Sequence, residues 1–174
     1  MYLISIYFDE KTESKIRSYM KQIARHTENA HMLDGDVPPH ITIGGFKIDS
    51  EEIAKELFFN ISRKVSSKSI QWVSVGTFHP GVLYITPILN EYLHQLSGIY
   101  NNEVKKYDNL QVEQRYLLFK WLPHTTLGKH LTGLQMKKAF EVMQSQFAPF
   151  EGRVVKIGLA KTNPYQDIVV CELN

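Results

Sequence analysis

The sequence predicts an α+β fold: two βαβαβ units form one bilobal domain with pseudo-two-fold symmetry, antiparallel-rich sheets facing a central cleft, and helices outside. Three observations carry this expectation. The order strand, helix, strand, helix, strand can be read twice along the 174 residues. A short pattern, Pro-His-x-Thr-apolar-Gly, also occurs twice, as Pro39-His40-Ile41-Thr42-Ile43-Gly44 and as Pro123-His124-Thr125-Thr126-Leu127-Gly128, with the two histidines 84 residues apart. Both copies fall at the same place in the repeated order, as they would after duplication of a half-length unit. The lobe-forming repeats are expected at approximately residues 1–80 and 81–174 of a single domain.

Each element has its own signal. Tyr2 to Phe8 is apolar and rich in β-formers, which suits a buried strand. Asp9 or Thr12 can cap the helix that follows, where Ile16, Tyr19, Met20 and Ile23 fall at i, i+3, i+4 and i+7. The polar stretch from His26 to Pro39, with turn residues at Asp34-Gly35-Asp36, is expected as a loop leading into the first His-x-Thr strand. Asp49 with Glu52 resembles a capping box, and Ile53, Leu57, Phe58, Ile61 and Val65 give the next helix an apolar face. Ile70 to Phe78 reads as a strand, His79-Pro80-Gly81 as a turn, and Val82 to Thr86 as another strand.

The second half follows suit. Leu89, Tyr92, Leu93, Leu96, Ile99 and Tyr100 mark a helix, which Gly98 weakens. A longer connection, Lys105 to Pro123, reaches the second His-x-Thr strand. Thr132 with Gln135 forms a further capping-box pattern ahead of a stripe of Met136, Ala139, Phe140, Met143 and Phe147. Val154 to Leu159 and Ile168 to Leu173 close the chain as strands, turned at Asn163-Pro164.

Composition bounds the function. Hydrophobic residues make up 43% of the chain, enough for an ordinary core, and the net charge of +2 gives no global field of the kind that marks bulk nucleic-acid binding. The lone Cys171 excludes an intramolecular disulfide and a cysteine metal cluster, in keeping with a reducing compartment. The opening MYLISIYFDE lacks a basic leader and reads as a strand and not a signal peptide, and no apolar run is long enough to span a bilayer. A cytoplasmic protein without a membrane partner or an obligate protein partner is expected.

The repeated pattern carries the chemistry. Side chains alternate along a strand, so His40 and Thr42 share one face, as do His124 and Thr126, while Ile41, Ile43, Thr125 and Leu127 take the other. Two imidazoles converging on one site can divide acid and base work, because a pKa near 6.5 lets one be neutral while the other is protonated. That division suits transfer at a phosphodiester. The two Thr hydroxyls can bind non-bridging phosphate oxygens, backbone amides near Gly44 and Gly128 can add to them, and the mechanism needs neither metal nor cofactor.

The paired motifs PPHITIGG and LPHTTLGK, set half a chain apart, resemble those of the two-histidine (2H) phosphoesterase superfamily, and within it the 2′-5′ RNA ligase and 2′,3′-cyclic phosphodiesterase-like branch. The resemblance implies a two-lobed α+β fold with the site between the lobes. It also implies catalytic roles for His40 and His124, phosphate binding by Thr42 and Thr126, and a substrate that is an RNA 2′,3′-cyclic phosphate end or a cyclic nucleotide. Many second motifs of that branch end in Arg where this chain has Lys129, a charge without a bidentate fork. Symmetry leaves the acid and base interchangeable; the split adopted is His124 as base and His40 as acid.

Other residues are weaker candidates. Lys47 and Lys129 follow their motifs and are expected at the cleft rim, and Arg115 and Tyr116 belong to a basic, aromatic segment that can contact phosphate and stack a base. For the aromatics from Tyr116 to Trp121, packing into the core is the stronger expectation. His79 and His130 read as solvated loop residues, and His26, His31 and His94 as loop or polar-helix positions. A zinc site is disfavoured by the lack of an HExxH or Cys-cluster pattern. The main alternative is a nucleotide- or RNA-binding module without turnover; hydrolysis of an unrelated ester has no Gly-x-Ser-x-Gly elbow to support it.

Overall fold

The computed structural model describes residues 1–35, 37–162 and 164–174. The first half runs β1 (Tyr2–Phe8), α1 (Glu10–Thr27), a single-turn α2 (His31–Asp34), β2 (His40–Lys47), α3 (Glu51–Ser62) and β3 (Lys68–Phe78). The second runs β4 (Val82–Pro87), α4 (Glu91–Val104), a two-residue β5 (Gln111–Val112), β6 (Thr125–Gly128), α5 (Gly133–Gln146), β7 (Phe150–Lys161) and β8 (Gln166–Glu172).

All strand pairs are antiparallel, in the order β5-β2-β1-β7-β3-β4-β6, with β8 also on β7. The long β7 joins the lobes: Val154 to Lys161 pair with β1, while Phe150 to Val154 pair with β3. The two units exchange elements reciprocally. Strand β3 of the first unit pairs with β4 of the second, and β7 of the second pairs with β1 of the first. Helix α1 packs on α5 and β6, and α4 packs on α3 and β2. Each lobe is therefore built from both sequence halves. The same exchange brings the motif strands β2 and β6 into contact across the lobes.

The side of each motif strand that faces away from the cleft is buried in the core. Ile41, Ile43 and Thr125 have no exposed surface, and Leu127 is almost as fully enclosed. Trp72 of β3, also fully buried, stacks on Phe150 at 5.0 Å between centroids and meets Phe8 edge-on at 4.9 Å. Its indole N–H donates to the Thr125 hydroxyl at 3.3 Å, pinning the second motif to the junction between the lobes.

Several local expectations need correction. Ser50, not Asp49, caps α3: its hydroxyl accepts from the Ile53 N–H at 3.3 Å and donates to the Glu52 carboxylate at 2.9 Å. Helix α1 continues past His26 to Thr27, where Glu28 ends it in the left-handed region, and α2 occupies part of the expected loop. Asn90 caps α4, leaving Leu89 outside the helix and exposed, and in α5 Val142 takes the buried place expected of Phe140. The Thr132–Gln135 capping box forms as expected, and Asp9 caps α1. Within the expected turns, Asp36 and Asn163 lie outside the described residues.

The glycines after the first motif admit helix α4. Tyr100, fully buried, lies over Gly44, and its hydroxyl donates to the Gly45 carbonyl at 2.9 Å while accepting from the Gly45 N–H at 3.1 Å. A Cβ at Gly44 would run into the Tyr100 ring, whereas one at Gly98, inside α4, meets nothing within 4 Å. Denaturant unfolding is therefore expected to show opposite signs at these two glycines. Gly44→Ala should lose about 1–3 kcal/mol through overpacking, and Gly98→Ala should gain about 0.5–1 kcal/mol through helix propensity.

Candidate active site

A cleft of about 1090 Å³ lies between the lobes and is lined by His40, Thr42, His124 and Thr126. The fold thus gathers both motifs at one place. His40 opens β2 and His124 sits immediately before β6; both rings are half-buried.

The two imidazoles are held in the same way. Nδ1 of His40 lies 2.8 Å from the Pro38 carbonyl, and Nδ1 of His124 lies 2.8 Å from the Leu122 carbonyl. A carbonyl can only accept, so each Nδ1 carries the proton and donates, which leaves Nε2 as the exchanging atom. In both copies a proline, Pro39 or Pro123, stands between the accepting carbonyl and the histidine. Its fixed φ near −65° limits the turn that brings the carbonyl back onto the ring. The second turn is held further by the Thr86 hydroxyl, which donates to the Pro123 carbonyl at 2.8 Å.

The threonines differ in their surroundings. Thr42 is buried, 3.2 Å from the Ser5 hydroxyl on the neighbouring β1, and its carbonyl accepts from the Trp121 indole at 2.9 Å. Thr126 is half-buried and sits opposite Tyr84 of β4 in the sheet.

The histidines also have unlike neighbours. His40 has the Tyr7 ring 6.0 Å away; the Tyr7 hydroxyl meets that of Tyr165 at 3.5 Å, and Tyr165 donates to the Asp167 carboxylate at 2.7 Å. His124 is boxed by aromatics, with Phe78 edge-on at 4.8 Å and Tyr84 at 5.3 Å. Burial pushes the pKa of His40 below the ordinary imidazole value, with His124 pushing the same way, while its hydrogen bond to Pro38 and the charge of Asp167 push it up. Burial likewise lowers His124; its bond to the Leu122 carbonyl raises it, and the Arg115 charge lowers it further.

Of the weaker candidates, Arg115, Tyr116 and Lys129 line the cleft and Lys47 does not. Lys47 ends β2 beyond Phe46, whose ring stacks on Tyr2 at 5.7 Å, and it pairs with Gln111 of β5 at the end of the strand away from His40. Gly44 and Gly128 are not among the residues lining the cleft; Gly44 lies under Tyr100 and Gly128 against Leu131. His79 and His31 line it, whereas exposed His130 meets the His31 ring edge-on at 4.5 Å and stays outside.

Between Tyr116 and Trp121 the expected core packing is only partly realised. Tyr116 is buried and Trp121 half-buried, but Phe119 is 89% exposed. Sequence reading missed Tyr165, Phe78 and Tyr84, which belong to β-strands or a hairpin with no motif around them. The Pro38 and Leu122 carbonyls were within reach of it, since a proline precedes each motif histidine.

A family model described as the 2′-5′ RNA ligase superfamily matches residues 12–166 of the chain. No curated protein sequence matches it significantly. Among solved structures it resembles E. coli LigT complexed with 3′-AMP, with a TM-score of 0.67 at 13% identity over 99% of this chain and 97% of that one. It resembles TT0787 of Thermus thermophilus at a TM-score of 0.64 and 13% identity, again over 99% and 97% of the two chains. A further structure, described only as a phosphoesterase, matches at 0.60 and 14% identity over the same shares. With a family model spanning most of its length and the fold shared with LigT, the chain belongs to the 2′-5′ RNA ligase superfamily of two-histidine phosphoesterases.

Proposed function

We propose that the protein is a metal-independent phosphodiesterase acting on 2′,3′-cyclic phosphate ends of RNA or on cyclic nucleotides. The observation that carries this reading is the matched pair of imidazoles, each tied at Nδ1 and lining one cleft with a threonine from its own strand. A nucleotide ligand is also in keeping with the 3′-AMP bound by E. coli LigT, which shares the fold.

In the proposed reaction, neutral His124 takes a proton at Nε2 from water as the water oxygen attacks phosphorus. The bond from phosphorus to one ribose oxygen breaks, and the His40 imidazolium gives its Nε2 proton to that oxygen. The product is a 2′- or 3′-monophosphate, and exchange with solvent restores both rings. The role split is part of the proposal and is tested by the pH profile: Asp167 favours the protonated form of His40 while burial and the charge of His124 oppose it, and burial and Arg115 oppose that of His124. Thr42 and Thr126 donate to the non-bridging oxygens; for Thr42 to do so, the Ser5 hydroxyl 3.2 Å away must be the donor of that pair, which leaves the threonine proton for phosphate. Arg115 and Lys129 supply positive charge at the cleft, and Tyr116 walls it beside Thr42. With a ribose hydroxyl in place of water, the reverse reaction joins RNA ends.

No helix among the described residues is long and apolar enough to cross a membrane. An RNA substrate and the unpaired Cys171 are in keeping with a cytoplasmic site of action.

Hydrolysis of 2′,3′-cyclic nucleotides and of an RNA with a cyclic phosphate end, assayed in excess chelator, tests the reading. His40→Ala and His124→Ala should each lose about 10²–10⁴-fold in kcat, and activity surviving both substitutions would remove the site from consideration. The pH dependence of kcat/KM should be bell-shaped. Activity falls at low pH as His124 gains a proton and at high pH as His40 loses one. Burial lowers both, so the optimum should lie on the acid side of pH 7. Asp167→Asn removes a charge that raises His40 and should move only the alkaline limb, to lower pH; movement of the acid limb instead would reverse the role split.

A further inference from the structure

Beside the cleft stands one large apolar side chain that the chemistry above leaves unused. Phe119 is 89% exposed, well above the next large apolar residue, Leu134, at 66%. Its backbone takes a φ of 65°, a region that bulky side chains seldom enter. The segment around it is held on both sides. Buried Asn101 of α4 donates to the Tyr116 carbonyl at 3.1 Å and accepts from the Leu118 N–H at 2.9 Å. The Lys120 N–H returns to the Leu117 carbonyl at 2.9 Å, and Trp121 is tied to Thr42. The phenyl ring is thus fixed outward on an anchored loop, with the His94 ring 6.2 Å away.

The next residue, Lys120, lines the cleft and forms no ion pair among the described residues. An exposed aromatic face next to an unpaired cation is the combination that single-stranded nucleic acid uses, base on ring and phosphate on charge. We propose that Phe119 and Lys120 form a subsite for the RNA strand leading to the reacting end, with Phe119 stacking an upstream base and Lys120 meeting its phosphate. Phe119 itself does not line the cleft, and His124 lies five positions further on, at most about 18 Å of extended chain, so the base it stacks is assigned to a neighbour of the terminal nucleotide. One ring is small against the roughly 800 Å² per side of a standard protein interface, which favours a base over a folded partner. The substrate class is then an RNA strand with a cyclic phosphate end, preferred over a free cyclic nucleotide. This inference rests on the phosphodiesterase reading of the cleft.

Steady-state kinetics on 2′,3′-cyclic AMP and on a short oligoribonucleotide ending in a 2′,3′-cyclic phosphate test it. Phe119→Ala should raise KM for the oligonucleotide by about 5- to 150-fold with kcat unchanged, the range expected for losing one stacked base. Its kinetics on 2′,3′-cyclic AMP should stay as in wild type, and Phe119→Tyr should retain wild-type KM on both. An equal loss on both substrates, or no loss on the oligonucleotide, overturns the subsite. Wild type inactive on both would sink the phosphodiesterase reading separately; anisotropy of a labelled oligonucleotide ending in a 3′-phosphate then decides, weaker binding by Phe119→Ala supporting the subsite and equal binding overturning it. A dimer in sedimentation that Phe119→Ala dissolves would make this a self-interface and also overturn the proposal.

Discussion

Two hydrogen bonds set the chemistry available to this protein. With His40 Nδ1 on the Pro38 carbonyl and His124 Nδ1 on the Leu122 carbonyl, both at 2.8 Å, each ring keeps one tautomer and offers one nitrogen. A ring free to turn would divide its time between orientations and tautomers, and a proton transfer would first have to wait for the right one. The intervening prolines make the arrangement local, so it comes with each motif and is copied when the motif is copied.

Bringing the two motifs together is the work of the exchanged elements. Helix α1 leaves β1 to pack beside β6, α4 leaves β4 to pack beside β2, and β3 and β7 pair across the halves. Neither half encloses its own core. The Trp72 indole bonded to Thr125 spans the junction directly, coupling the most buried part of the fold to the residue between the histidine and threonine of the second motif. The apolar side of each motif strand is therefore fixed by packing, and the polar side is left free to face the cleft.

Much of this was legible in the sequence because it depends on short-range rules. The strand alternation that pairs His40 with Thr42, the Thr132–Gln135 cap and the repeated element order all rest on neighbours a few residues apart. What was hidden depends on long-range placement. Asp49 and Ser50 are both good caps, and only the built helix chooses Ser50. Lys47 lies as near to its motif in sequence as a rim cation should, yet it follows the strand away from the cleft. Tyr165 and Asp167 come to the neighbourhood of His40, by way of Tyr7, because the β7–β8 hairpin folds back beside β1. Phe119 follows a leucine pair and was expected to be buried with them, but the bonds from Asn101 fix the loop in a form that turns the ring outward.

The most direct test of this account is the nitrogen NMR of the imidazoles across a pH titration. With both rings neutral, His40 and His124 should each show a protonated Nδ1 and a bare Nε2, and both should titrate below the ordinary imidazole value because burial opposes their charge. A bare Nδ1 on either ring would contradict the hydrogen bonds on which the site is built, and a titration point above the ordinary imidazole value would contradict the enclosure of the rings.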